Sequence, residues 1–251
     1  MVFNLNIVLG ILIVFFASIL QGLMGFGYAI IAAPLLMLIF LPKLVVPIIL
    51  IQSSINNIII IMSLLKENIN QYVNLKKILR LIIAGIIGIP IGTFLLISVE
   101  EETIKIFSGI VIIIFSIFQL IGFHKPVKNE KVASVIVGLI SGILAGSIAI
   151  SGPPVVLFLM NQNVIKNYFR VNIVIYFIVL GLIAILSMYI SKILNMEVIH
   201  YFLSLFPAMV FGLSIGIYLS KKVNESLFKL ATIFIVLVSG ILAISSGFNI
   251  I

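Results

Sequence analysis

The chain contains no cysteine, no tryptophan and no aspartate, and only 9% of its 251 residues are charged. Without cysteine there are no disulfides, thiolate metal sites or cysteine nucleophiles, and thiols give no clue to redox compartment. Without aspartate, all seven acidic residues are glutamates, and each falls between long apolar runs. An intramembrane carboxylate relay of the kind that carries protons in many pumps is therefore missing. Intramembrane enzymes need HExxH, paired membrane aspartates, or serine with a buried histidine base. None of these constellations occurs, and His124 and His200 lie at the ends of apolar runs. No enzymatic activity, cofactor or metal is expected.

What the chain does have is apolar residues, 63% of the total, with a mean hydropathy of +1.41. That leaves too little polar surface for a water-soluble globule. The reading is an all-α polytopic membrane protein held together by helix packing. Apolar stretches long enough to cross a bilayer run over about 5–22, 44–65, 78–98, 104–122, 132–150, 170–191, 198–219 and 227–247. Two shorter pieces, 28–41 and 153–161, break the series. These give eight spans and two short broken or re-entrant segments. No Lys or Arg precedes the first apolar run, so it reads as mature structure and not as a signal peptide.

The net charge of +8 sits in short loops and forms no basic face, which argues for topology and against nucleic acid. If the loop with Lys66, Lys76, Lys77 and Arg80 is cytoplasmic, and each short piece returns the chain, then Lys125, Lys128, Lys131, Lys166, Arg170, Lys221, Lys222 and Lys229 fall on the same side. Only Lys43, Lys105 and Lys192 lie opposite. This positive-inside bias predicts a multi-pass protein of a cytoplasmic membrane with both termini outside.

The sequence also repeats. At an offset of 120, GLMGFGYAIIAAPLL from Gly22 lies on GILAGSIAISGPPVV from Gly142, with Pro34 on Pro154. At 124, Gly88, Ile91, Gly92, Leu95, Val99, Glu101 and Lys105 meet Gly212, Ile215, Gly216, Leu219, Val223, Glu225 and Lys229. The expected division is a first half at 1–122, a cytoplasmic linker at 123–131 and a second half at 132–251, with four extra residues between the two blocks of the second half. Equivalent loops fall on opposite faces, so the repeats are expected to be inverted. Such repeats with interrupted helices recur in secondary transporters, whose sites lie near the midplane.

The interruptions are Gly22, Gly25 and Gly27 in the first half and Ser151, Gly152, Pro153 and Pro154 in the second. Glycine tolerates positive φ and proline lacks an amide hydrogen, so these clusters break helices and free backbone N–H groups. A helix N-terminus with free donors suits an anion. The candidate substrate site is therefore Gly25, Phe26, Gly27, Gln52, Asn56, Ser147, Ser151, Gly152, Arg170, Asn172 and Tyr176. Gln52 and Asn56 are amides that hydrocarbon penalises, with helix-to-helix contacts as their other use; Gln21, Ser53, Ser54 and Asn57 rank behind them. Ser147 and Ser151 can donate to an oxyanion. Asn172 and Tyr176 share a helix face, where core packing is an equal use. Arg170 can pair bidentately with an oxyanion, or simply anchor a helix end by snorkelling, as Lys43 does. Gly88/Gly92 and Gly212/Gly216 have close-packing spacing, and Glu100, Glu101 and Glu102 are assigned no chemistry.

GLMGFGYAIIAAP at Gly22–Pro34, SGILAGSIAISGPP at Ser141–Pro154 and the two glycine pairs resemble the sulfite exporter TauE/SafE family over almost the whole chain. The resemblance implies export of sulfur-containing or organic anions. Tyr28, Ala32 and Ala33 replace a more glycine-rich stretch, which leaves the particular anion open. The expected partners are a small anionic substrate, the lipid bilayer and a coupling ion that could be proton or sodium; a homodimer is left open. The competing reading is a cation channel or cation-coupled permease, against which the missing midplane carboxylates count.

Overall fold

The computed structural model describes residues 5–65, 75–121, 129–162, 166–220 and 225–248. Its elements are all helical: α1 (Leu5–Met24), α2 (Tyr28–Leu36), α3 (Pro42–Leu65), α4 (Leu75–Ser98), α5 (Glu101–Ile121), α6 (Glu130–Ile148), α7 (Gly152–Met160), α8 (Lys166–Ile190), α9 (Met196–Leu219) and α10 (Glu225–Gly247). Seven described helices are long and apolar enough to cross a membrane, and α10 adds an apolar stretch at Val236–Gly247. The chain is thus a polytopic α-helical membrane protein. Lys66, His124, Lys125, Lys128, Lys221 and Lys222 lie outside the described residues, as does linker segment 123–128. Asn129 is the N-cap of α6, accepting from the Val132 amide at 3.3 Å. Glu101, Glu102, Glu130 and Glu197 occupy first turns of helices, where a carboxylate complements the positive end of the helix dipole.

The two short helices begin where the sequence predicts breaks, by different local chemistry. After α1, Gly25 and Gly27 adopt φ of +83° and +103°, a region glycine enters without steric cost. After α6, the turn uses Ala149 at φ +60°, which costs an L-residue about 1–2 kcal/mol. Its capping bonds, Ala149 N–H to Ala145 O at 3.1 Å and Ile150 N–H to Leu144 O at 3.3 Å, close the helix end in its place.

Helix bounds favour one offset between the two halves over the pair read from sequence. A single offset of 124 carries Tyr28–Leu36 onto Gly152–Met160, Pro42–Leu65 onto Lys166–Ile190 within one residue, and Leu75–Ser98 onto Met196–Leu219 within three. It also sets Gly25 on Ala149, the two left-handed turns. The offset of 120 at the breaks matched like residues in unlike roles, since Pro34 lies inside α2 while Pro153 and Pro154 open α7.

Packing follows the same offset. α1 lies along α9 and α4 along α6, so each of these seams joins one helix from each half of the chain. A Cβ on Gly22 would meet the Gly216 backbone at 2.8 Å, and one on Gly146 the Thr93 amide at 2.7 Å and the Gly92 carbonyl carbon at 3.0 Å. Gly88 and Gly92 press against Leu139 O and Ile143 O of α6, as Gly212 and Gly216 press against Phe15 O and Ile19 O of α1. The expected packing role of both glycine pairs is what the structure has: backbones in van der Waals contact, as small residues permit between membrane helices.

Candidate functional site

The first turn of α2 and the first turn of α7 face a common cavity of about 40 Å3. A buried water needs roughly 10–15 Å3 of such space, so the cavity holds a few waters or an ion of a few heavy atoms. It is lined at positions related by the 124-residue offset: Gln21 with Ala145, Phe26 with Ile150, Gly27 with Ser151, Tyr28 with Gly152, Ser53 with Phe177 and Asn57 with Gly181. Among the described residues, no acidic or basic side chain lines it.

Neither short helix has its N-terminus capped by a side chain. The first amides of a helix lack intrahelical acceptors, so Tyr28, Ala29 and Ile30 turn donors toward this end. In α7, Pro153 and Pro154 have no N–H to give, leaving Gly152 ahead of Val155.

Behind the first break lies a string of buried amides. Gln21 Nε2 donates to Asn57 Oδ1 at 3.0 Å, Asn56 Nδ2 donates to Gln21 Oε1 at 2.8 Å, and the Tyr28 hydroxyl donates to Gln52 Oε1. Gln52 Nε2 and Asn56 Oδ1 are buried without a hydrogen-bond partner among the described residues. Behind the second break, the Tyr176 hydroxyl donates to Ser141 Oγ at 2.8 Å and Ser141 Oγ to Ser151 O at 2.6 Å. Gln52 and Tyr176 are related by the same offset. Each fixes the start of the short helix in its own half, one through Tyr28 and the other through Ser141.

The candidate residues from sequence divide accordingly. Phe26, Gly27, Ser151 and Gly152 line the cavity; Gln52, Asn56 and Tyr176 stand behind it. Gly25 forms the turn beside it, against which Arg170 packs: a Gly25 Cβ would meet Arg170 Cγ at 3.1 Å and Nε at 3.2 Å, and Nη2 reaches Gly22 O at 3.4 Å. Arg170 therefore reaches the first break from the second half, beside the Phe26–Phe169 edge-to-face pair at 6.0 Å. The Ser147 hydroxyl donates to Ile143 O at 2.8 Å and Asn172 Nδ2 to Tyr168 O at 2.7 Å, both bonds to their own helices. Gln21, Ser53 and Asn57, ranked lower from sequence, line the cavity. The missed signal was helix phase: Asn57 follows Ser53 by one turn and shares its face.

Ten described helices, two of them short and joined to the preceding helix by a tight break, surround this small cavity and define a polytopic membrane bundle with interrupted helices. Over residues 10–243 the chain matches the family described as sulfite exporter TauE/SafE. The chain belongs to that family, and is therefore a member of a family of membrane transporters. No curated protein and no solved structure matches the chain.

Proposed function

We propose that this protein is a secondary transporter, working as an exporter, that binds a small anion between the opposed N-termini of α2 and α7. The carrying observation is that both uncapped helix starts face one cavity whose lining, among the described residues, holds no acidic side chain. Each N-terminus contributes about half a positive elementary charge, so an anion there is held by fixed dipoles without a lysine or arginine. Family membership supports a sulfur oxyanion such as sulfite, a sulfonate or a related organic anion. The small cavity favours the inorganic end of that range.

The two halves are inverted repeats in this reading. α1 begins at the end of the bundle where α2 finishes and α9 begins, and α6 takes the opposite sense; the exchanged seams α1–α9 and α4–α6 support it. Lining residues Ser53 and Phe177 fall near the middle of α3 and α8, which supports a midplane site in a cytoplasmic membrane. The linker at 123–131 and both termini follow the positive-inside assignment, with the termini outside. Gln52 and Tyr176 position the helix starts, Arg170 braces the first break, and proton or sodium remains the coupling ion to be found.

Thermal unfolding of purified protein with sulfite, sulfate, thiosulfate, sulfonates and carboxylates, with and without sodium, tests the reading. An anion at a hundredfold its dissociation constant should stabilise the fold by about 2.7 kcal/mol, and Ser151→Leu should abolish the shift. A shift with cations alone would replace the anion by the cation reading.

A further inference from the structure

At the end of the bundle where α1, α3, α5 and α9 begin and α2, α4 and α8 finish, a second and larger cavity of about 650 Å3 opens. Its lining includes Lys43, Lys105 and Lys192 against Glu101 and Glu197. These are the three bases that charge patterning assigns to the outer face, and all of them converge on one mouth.

Two of the three stand where local forces disfavour them. Lys43 is in the first turn of α3, where the helix dipole repels a cation. Lys192 has φ +58°, in a left-handed turn after α8 that glycine or asparagine would fill at less cost. Lys105 has a local reason, since it follows Glu101 by four residues in the favourable order, and it also lies 3.5 Å from Ser246 Oγ. Placement of Lys43 and Lys192 against local preference points to a use at the mouth. The starts of α1, α3, α5 and α9 and the ends of α2, α4 and α8 meet there, so their opposite dipole ends largely offset one another. The field of the cleft rests on three lysines against two glutamates, which low-dielectric walls concentrate.

We propose that this outer cavity is a second binding site, taking small oxyanions through Lys43, Lys105 and Lys192. It deepens the transport reading on which it rests, as the station next to the inner cavity on the anion's path. The ligand chemistry is an oxyanion carried by the soluble substrate; an anionic lipid headgroup offers the same chemistry, and the test separates them.

The absence of cysteine makes Ser191, in this lining, a clean place for a reporter. Ser191→Cys protein in phosphatidylcholine vesicles is treated from outside with a sulfonate-bearing and a trimethylammonium-bearing methanethiosulfonate. The ratio of anionic to cationic reaction rates should fall about tenfold in the added triple variant Lys43→Gln/Lys105→Gln/Lys192→Gly, and should also fall as salt approaches 1 M, where screening acts within about 3 Å. Sulfate should slow the anionic reagent at matched ionic strength. Lys192→Gly alone should unfold at no lower temperature than the parent, since glycine relieves the turn, so its lowered ratio cannot come from misfolding. An unchanged ratio in the triple variant overturns the site. Suppression by added phosphatidylglycerol, equal to that of lysine removal, also overturns it by assigning the lysines to lipid. Because reagent rates require no transport, a failure here removes the outer site alone, while a failed ligand shift at the inner cavity removes the transport reading and leaves a positive result here standing as anion binding.

Discussion

The two halves present the same six backbone positions to the inner cavity and place different chemistry on them. The first half supplies Gln21, Ser53 and Asn57; at the matching positions the second half has Ala145, Phe177 and Gly181. The helix starts differ in the same direction, since α2 opens with residues that keep their N–H groups and α7 opens with Gly152, Pro153 and Pro154. In the proposed reading, a shared frame carries the recognition chemistry on one half while the other half becomes the wall. In this chain, polarity and donors collect on the first half, and Ser151 is the second half's main polar contribution.

Exchanging side chains across the offset tests that division most severely. Asn57→Leu should weaken anion affinity about a hundredfold, near 2.7 kcal/mol, in a thermal-shift titration. Gly181→Ala, at the matching position, should cost about tenfold less affinity than Asn57→Leu, because it removes no polar group from the cavity, though the added methyl must turn the Ser54 hydroxyl off Leu50 O and so lower stability by about 1 kcal/mol. Equal losses would erase the asymmetry. A second test exchanges the helix starts. Ala29→Pro places on α2 the proline that α7 carries at Pro153, a first-turn position that tolerates it, and removes one donor. Affinity should drop about tenfold, in keeping with a hydrogen bond to a charged group, and Pro153→Ala should raise it. No change in either would exclude the backbone donors.

The smallest expected effect concerns the supports behind the cavity. Tyr28→Phe deprives Gln52 Oε1 of its donor and should lower stability by about 1 kcal/mol. Tyr176→Phe should cost about half as much, because Ser141 still holds Ser151 O. Chemical unfolding of both variants measures the difference, and a larger loss from Tyr176→Phe would reverse the ranking of the two supports.

Class, span positions and break positions were legible in the sequence because each rests on a local signal. Apolar runs of sufficient length, Gly25 and Gly27, and the Pro153–Pro154 pair carry their consequences within a few residues. The resemblance to the TauE/SafE family rested on the same segments and is met by the match over residues 10–243. The register of the repeat was misjudged at the breaks because Pro34 and Pro154 look alike and act differently, and only helix bounds distinguish a proline inside a helix from one that starts it. Which amides face the cavity was also beyond local reading. Gln52 and Asn57 differ by five positions on one helix, and rotation about the α3 axis, set by packing on α1, α8 and α9, decides that Asn57 lines the space while Gln52 backs it. Charge patterning set Lys43, Lys105 and Lys192 apart from the other bases, yet their convergence on one cavity needed three dimensions.

The crossed seams have a consequence for how the molecule comes into being. α1 and α4 leave the ribosome early, and their glycine-lined faces, Gly22 on one and Gly88 with Gly92 on the other, stay without partners until α9 and α6 are made. During synthesis the first half must therefore wait in the lipid as a loose set of inserted helices, with its narrowest grooves open. Final assembly sets α6 on α4 midway through synthesis and α9 on α1 near its end, so a chain stopped after α5 would lack the partners of both glycine faces.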